Sequence, residues 1–144
     1  MMKINLDAVP PRTAEEIASI VEAELAHIED PRVADALRQF LVSPPRMEMR
    51  CWGWSRPTRD FPTWVVAESA RYDYGVVHSD YGFGPAMPWG LVFSSQDNFG
   101  ADSCWYQHLF EAFLESRLIE EFNEDMQTVL TAAAVNLLRS DRLE

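Results

Sequence analysis

All six glycines lie between Gly53 and Gly100, and 14 of the 17 aromatic residues lie between Trp52 and Phe110. Aromatic side chains fit a pleated, half-buried surface and glycine opens turns, so a sheet is expected in the middle of the chain. Its centre is Tyr72–Phe93, YDYGVVHSDYGFGPAMPWGLVF. Two strand-like runs, Tyr74–Ser79 and Trp89–Phe93, flank the loop Asp80–Pro88 with its Gly82, Gly84, Pro85 and Pro88. Upstream, Met47, Met49 and Cys51 alternate with Glu48, Arg50 and Trp52, the period-two pattern of a strand. Thr63–Ser69 is a further β-rich run, and SRPTRDFP (55–62) reads as the loop before it. Short connections predict an antiparallel meander of about four strands.

Helical sequence brackets this region. Thr13 and Glu16 have the spacing of a capping box, in which hydroxyl and carboxylate each satisfy a backbone N–H at a helix start. The helix is predicted to run to about Glu29, with Ile17, Ile20, Val21, Leu25 and Ile28 on one face. Asp30-Pro31 restarts the chain, since aspartate caps and proline is tolerated at the first helical position. Val33, Ala36, Leu37, Phe40 and Leu41 form the second stripe, and Ser43-Pro44-Pro45 is the expected stop. After the sheet, Asp102 or Ser103 is expected to cap a helix whose stripe is Trp105, Leu109, Phe110, Phe113 and Leu114. The pattern continues through Leu118, Phe122, Met126, Val129, Leu130, Ala133 and Leu137. Ser116 and Asn123 are the break points that separate one long helix from two. The expected fold class is α+β, as a single domain over 1–144. It has two N-terminal helices, an about four-stranded antiparallel sheet, and one or two C-terminal helices packed on one sheet face.

The formal net charge is −11, and Lys3 is the sole lysine. Such a field repels nucleic-acid phosphates and favours a basic partner. Residues 31–61 run against the trend, with six arginines to three acids. Those guanidiniums are expected to pair with the chain's own carboxylates, for which their geometry is suited. With no long apolar run and no apolar signal core at the N-terminus, no membrane association and a cytoplasmic location are expected. Cys51 and Cys104 are expected to be reduced thiols.

Candidate chemistry is sparse. Cys104 and His108 stand four apart near an expected helix start, where a thiol and an imidazole on one face make a nucleophile conceivable. The competing reading is a half-buried cysteine beside a surface histidine. Adding Asp102 or His78 gives a conceivable metal site, but zinc sites are usually built from two close ligand pairs and here there is one. The GFGP loop has no neighbouring lysine and does not read as a phosphate cradle. No metal and no cofactor are therefore expected. The leading binding candidates are Trp52 and Trp54, which share the side of their strand opposite Met49 and Cys51, beside Arg50, Arg56 and Arg59. Asp73, Asp80, Tyr81 and Phe83 join them from the rim of the central loop.

The segments WGLVF (89–93) and DSCWYQHLFEAFLES (102–116) resemble the C-terminal half of small bacterial immunity proteins of polymorphic toxin systems. That resemblance implies a compact, often acidic, cytoplasmic protein that binds and neutralises a cognate toxin, and it assigns no site residue; the charge makes a basic toxin the expected partner. Two other expectations stand beside it: a small enzyme using Cys104, His108 or His78, and a homodimer joined through the apolar stripe of the C-terminal helices.

Overall fold

The computed structural model describes residues 12–51, 60–69, 71–80, 86–99 and 104–143, with side chains in the last helix as far as Asn136. It has an α+β fold in which helical segments precede and follow a five-stranded antiparallel sheet. The first helix, α1 (Ala14–Ala26), starts at the expected capping box: Thr13 Oγ1 accepts from the Glu16 N–H, and the Glu16 carboxylate accepts from the Thr13 N–H, each at 3.2 Å. It ends earlier than Glu29 because residues 27–30 make the corner into α2 (Pro31–Arg38). Asp30 caps α2 by accepting from the Arg32 N–H at 2.9 Å, with Pro31 at the first helical position. Ile17, Val21, Leu25, Val33, Ala36 and Leu37 are buried. Each valine, leucine or isoleucine side chain removed from water in this way stabilises the fold by about 1.5–3 kcal/mol.

The helix-breaking role expected of Ser43-Pro44-Pro45 is not what the structure shows. Helix α2 stops at Arg38, and the prolines lie inside β1 (Leu41–Cys51), with a cis Ser43–Pro44 bond. The ladder to β2 (Asp60–Glu68) shifts register between Leu41 and Arg46, and proline is accommodated at such irregularities of an edge strand. Strand β2 thus begins inside the stretch expected to be loop. Then follow β3 (Gly75–His78) and β4 (Trp89–Val92). Residues Trp105–Tyr106 form a short β5 on β4, not the first turn of a helix. Helix α3 (Leu109–Glu115) starts later, at His108. A 3-10 turn over Arg117–Glu121 leads to α4 (Glu124–Leu143). Both weak break points are therefore real. Ser116 Oγ accepts from the Leu118 N–H at 3.2 Å, and Asn123 Oδ1 from the Met126 N–H at 2.9 Å.

Strand order follows chain order, β1-β2-β3-β4-β5. Directly paired residues share a face, so one row, Met47–Trp64–His78–Trp89–Tyr106, crosses all five strands. This is the face the helices cover: Trp89, Val76 and Leu91 pack with Ile17, Leu109 and Phe113 in the larger core. A second core fills the opposite face, from Val65, Val77, Val92, Phe99 and Trp105. Met47 and Met49 share the helix-side face yet are 49% and 47% exposed, whereas Arg50, on the opposite face, is 1% exposed. The alternation in β1 is as expected; the buried member is the arginine.

Candidate functional site

Four of the six candidate binding residues, Trp52, Trp54, Tyr81 and Phe83, lie outside the described residues, as do Arg56, Arg59 and the Asp102 and Ser103 caps. The remaining two have defined internal partners. Asp73 accepts from both the backbone N–H and the hydroxyl of Ser95, fastening the turn after β4 to the turn before β3. Asp80, just past β3, forms a two-point ion pair with Arg12 at 2.7 and 3.2 Å. The pair ties the start of α1 to the end of the sheet.

His78 stands beside this ion pair, 3% exposed, with its ring edge-on to Trp89 at 4.7 Å between centroids. Burial lowers its pKa from 6.5 to about 4; the Asp80 carboxylate opposes the change and the Arg12 guanidinium adds to it. The imidazole is neutral at pH 7. Its Nδ1 and the Nε1 of Trp89 make no hydrogen bond. His78 is thus a packed core residue at a polar edge, and among the described residues no reacting group is positioned against it.

Cys104 and His108 lose the premise that joined them. With β5 between them, their four-residue spacing is not a helical turn. The Cys104 carbonyl accepts from the Leu91 N–H at 3.0 Å, in the sheet. His108 Nδ1 lies 3.3 Å from Glu24 Oε2 on α1 and its ring stacks on Phe110. Among the described residues, no group of three or more His, Cys, Asp or Glu side chains is placed to hold a metal ion. Among them too, no helix is long and apolar enough to cross a membrane.

The arginine-rich segment behaves as its chemistry demands. Arg32 pairs with Asp30, Arg38 with Glu22, Arg46 with Glu68 and Arg50 with Glu48. Hydrogen bonds from Arg38 and Arg46 hold the carboxyls of Glu22 and Glu68 below the ordinary glutamate pKa, and Arg32 does the same for Asp30. Arg50 is the unusual member. Its Nε donates to Glu48 at 2.6 Å, its Nη1 donates to the Asn98 carbonyl at 2.6 Å, and both terminal nitrogens reach the Phe93 carbonyl at 3.4 Å. It is a strut that holds segment 93–99 over the second sheet face.

One cleft escapes the sequence reading. About 520 Å³ in volume, it lies between the α1–α2 corner, α3 and α4, with Ile28, Val33, Phe110, Leu114 and Val129 on its walls and His27 and Asn136 among its polar lining. That volume is in the range of small-molecule sites. Its signal was the pair Ile28 and Val33 on either side of Asp30-Pro31, which read as two separate core stripes. No family model, no curated protein and no solved structure matches this chain.

Proposed function

We propose that this chain is an acidic protein-binding module of the immunity type, which neutralises a basic partner such as a toxin. One observation carries the reading: the net charge is −11, and the arginines whose side chains are described are engaged at home. Arg12, Arg32, Arg38, Arg46, Arg50 and Arg117 each pair with a carboxylate of the same chain. Arg71 lies over the Tyr72 ring. Among the described residues, exposed acids such as Glu15, Glu29, Asp35 and Asp97 have no such ion pair. The surface field is consequently negative, which speeds encounter with a cationic protein and selects against anionic ones. Of the candidate contact residues, Asp73 is exposed while its carboxylate accepts from Ser95, and Asp80 is engaged by Arg12. Trp52, Trp54, Tyr81 and Phe83 complete the proposed contact set.

The test is association with any basic protein that is encoded beside this chain's own gene. Stopped-flow mixing should give an association rate that falls at least about tenfold between ~0.01 M and ~0.5 M salt, as screening shortens the reach of the field. Absence of a complex, or a rate indifferent to salt, would remove the proposal.

A further inference from the structure

We propose that the outer edge of β1, at Met47 and Met49, accepts an extended cationic segment of a partner as an added β-strand. This names the contact made in the immunity-type reading and rests on it for the partner's charge.

The edge geometry follows from the register. In an antiparallel ladder, successive residues direct their N–H and C=O alternately toward the partner strand and away from it. The Cys51 N–H donates to the Asp97 carbonyl at 3.1 Å, and the Cys51 carbonyl accepts from the Phe99 N–H at 2.9 Å. Cys51 therefore directs its backbone away from β2, and Met49 and Met47, two and four residues back, do the same. Pro62 supplies an independent check. It stands opposite Met49 and has no N–H, so that pair cannot exchange hydrogen bonds. Among the described residues, no backbone hydrogen bond outside the β1–β2 ladder uses Met47 or Met49. Two N–H and two C=O groups thus face outward in a row, under side chains that are about half exposed.

Folded proteins blunt such edges with prolines, charges or covering segments. Here Pro44 and Pro45 guard the first part of β1, and the Asn98 bridge to Cys51 guards the last. Among the described residues nothing pairs with the middle, and the bridge shows that this edge accepts backbone pairing from another segment. Methionine suits the task, because an unbranched thioether adapts to varied apolar side chains. Main-chain bonds would supply affinity and alternate side chains selectivity, as in other strand-addition complexes.

Charge decides the occupant. Asp60, opposite Cys51, and Asp97 are exposed and outside the ion pairs of the described residues. Arg46, near the other end of the open stretch, is neutralised by Glu68. A second copy would bring another charge of −11, and a two-fold axis at Glu48 would set that carboxylate against its own copy. A lysine- or arginine-bearing strand meets neither penalty.

The probe is an alternating lysine–valine heptapeptide with blocked ends, titrated into the isotope-labelled full chain. Shifts should centre on the Met47, Glu48 and Met49 amides, and exchange of the Met47 and Met49 amides should slow at least about tenfold. The same peptide with a central proline should not bind. Met49→Pro removes one outward N–H while the β2 ladder bonds remain, and should weaken binding about tenfold or more. If it fails to fold, the double change Met47→Lys, Met49→Lys keeps the backbone and repels the peptide, with the same expected loss. Shifts centred elsewhere, no shifts, or unchanged affinity in these variants overturn the inference. So does a dimer by light scattering that Met49→Pro dissolves, since the occupant is then a second copy. Peptide capture without binding of the neighbouring gene product sinks the immunity-type reading and leaves the edge. The reverse result sinks the edge alone.

Discussion

The two faces of the sheet are closed by different physics. On the first, helix side chains such as Ile17, Leu109 and Phe113 pack with Val76, Trp89 and Leu91 in one apolar core. Helices satisfy their own backbone, so only side-chain packing is asked of them. On the second, part of the cover is an irregular segment, residues 93–99, whose backbone needs partners. The Asn98 and Phe93 carbonyls receive Arg50, the Phe99 N–H reaches Cys51, and Ser95 is held by Asp73. Phe99 then seals the core, edge-on to Trp105 at 5.5 Å and stacked on Phe61 at 6.3 Å. One face depends on volume; the other depends on a buried cation.

The largest expected effect breaks that second closure. Arg50→Met keeps much of the volume but leaves Glu48 and two carbonyls without their donor. Removing one partner of a buried pair costs about 3–5 kcal/mol, and the partial exposure of Glu48 places this variant near the lower end. The loss should be local: the Phe99 and Cys51 amides should exchange faster, while those of α1 and α3 hold. Phe113→Ala, on the helix face, should lower protection everywhere together. The double variant Arg50→Met, Glu48→Met sharpens the contrast. Recovery of most of the loss would show that the stranded carboxylate dominates; no recovery would show that the carbonyls do.

This difference also sets what could be read from the chain. The helix face was legible because its signals are local. Thr13 and Glu16 announce a start, Asp30-Pro31 a restart, and Ile17, Val21 and Leu25 a stripe. The second face was not, because Arg50 acts on carbonyls 43 and 48 residues away and no spacing rule connects them. Trp105 was misplaced for a related reason. Its spacing to Leu109 and Phe113 matches a helical face, but its ring is needed across the sheet on Gly90. Pro44 and Pro45 looked like a stop because their tolerance depends on lying in an edge strand, which is a tertiary fact. Of the candidate site, Asp73 and Asp80 lie at the two ends of β3, where polar residues are expected; their partners, Ser95 and Arg12, were not predictable from position.

A smaller effect probes the polar margin of the helix face. The His78 imidazole gains its proton near pH 6.5 when unfolded and near pH 4 when folded. Between those values the unfolded chain binds more protons, so stability rises with pH through this window. The contribution is complete above about pH 6.5, is lost as pH falls toward 4, and amounts to about 3 kcal/mol. Glu68, Glu22 and Asp30, with lowered pKa values, add an acid loss of their own at lower pH. The quantity to measure is therefore the difference between wild type and His78→Gln in denaturant midpoint across pH 4–7. A difference that does not change with pH would mean that His78 is hydrated in the folded state and that the helix face is not sealed there.

The smallest effect tests how tightly the second face is packed. A Cβ at Gly90 would sit 2.7 Å from two atoms of the Trp105 ring and 2.9 Å from a third. Glycine in a strand ordinarily weakens it, so Gly90→Ala would stabilise the chain if space allowed. Here the neighbour is a rigid ring, 4% exposed and packed against Phe99. The expected result is a loss of about 1–3 kcal/mol, the range for forcing extra volume into a filled core. Shifts should spread from Trp105 to Phe99 and on to the Cys51 bridge, leaving Phe113 unmoved. A neutral or stabilising Gly90→Ala would mean that Trp105 relocates freely. The second face would then be held by Arg50 and the backbone bonds alone, with packing adding little.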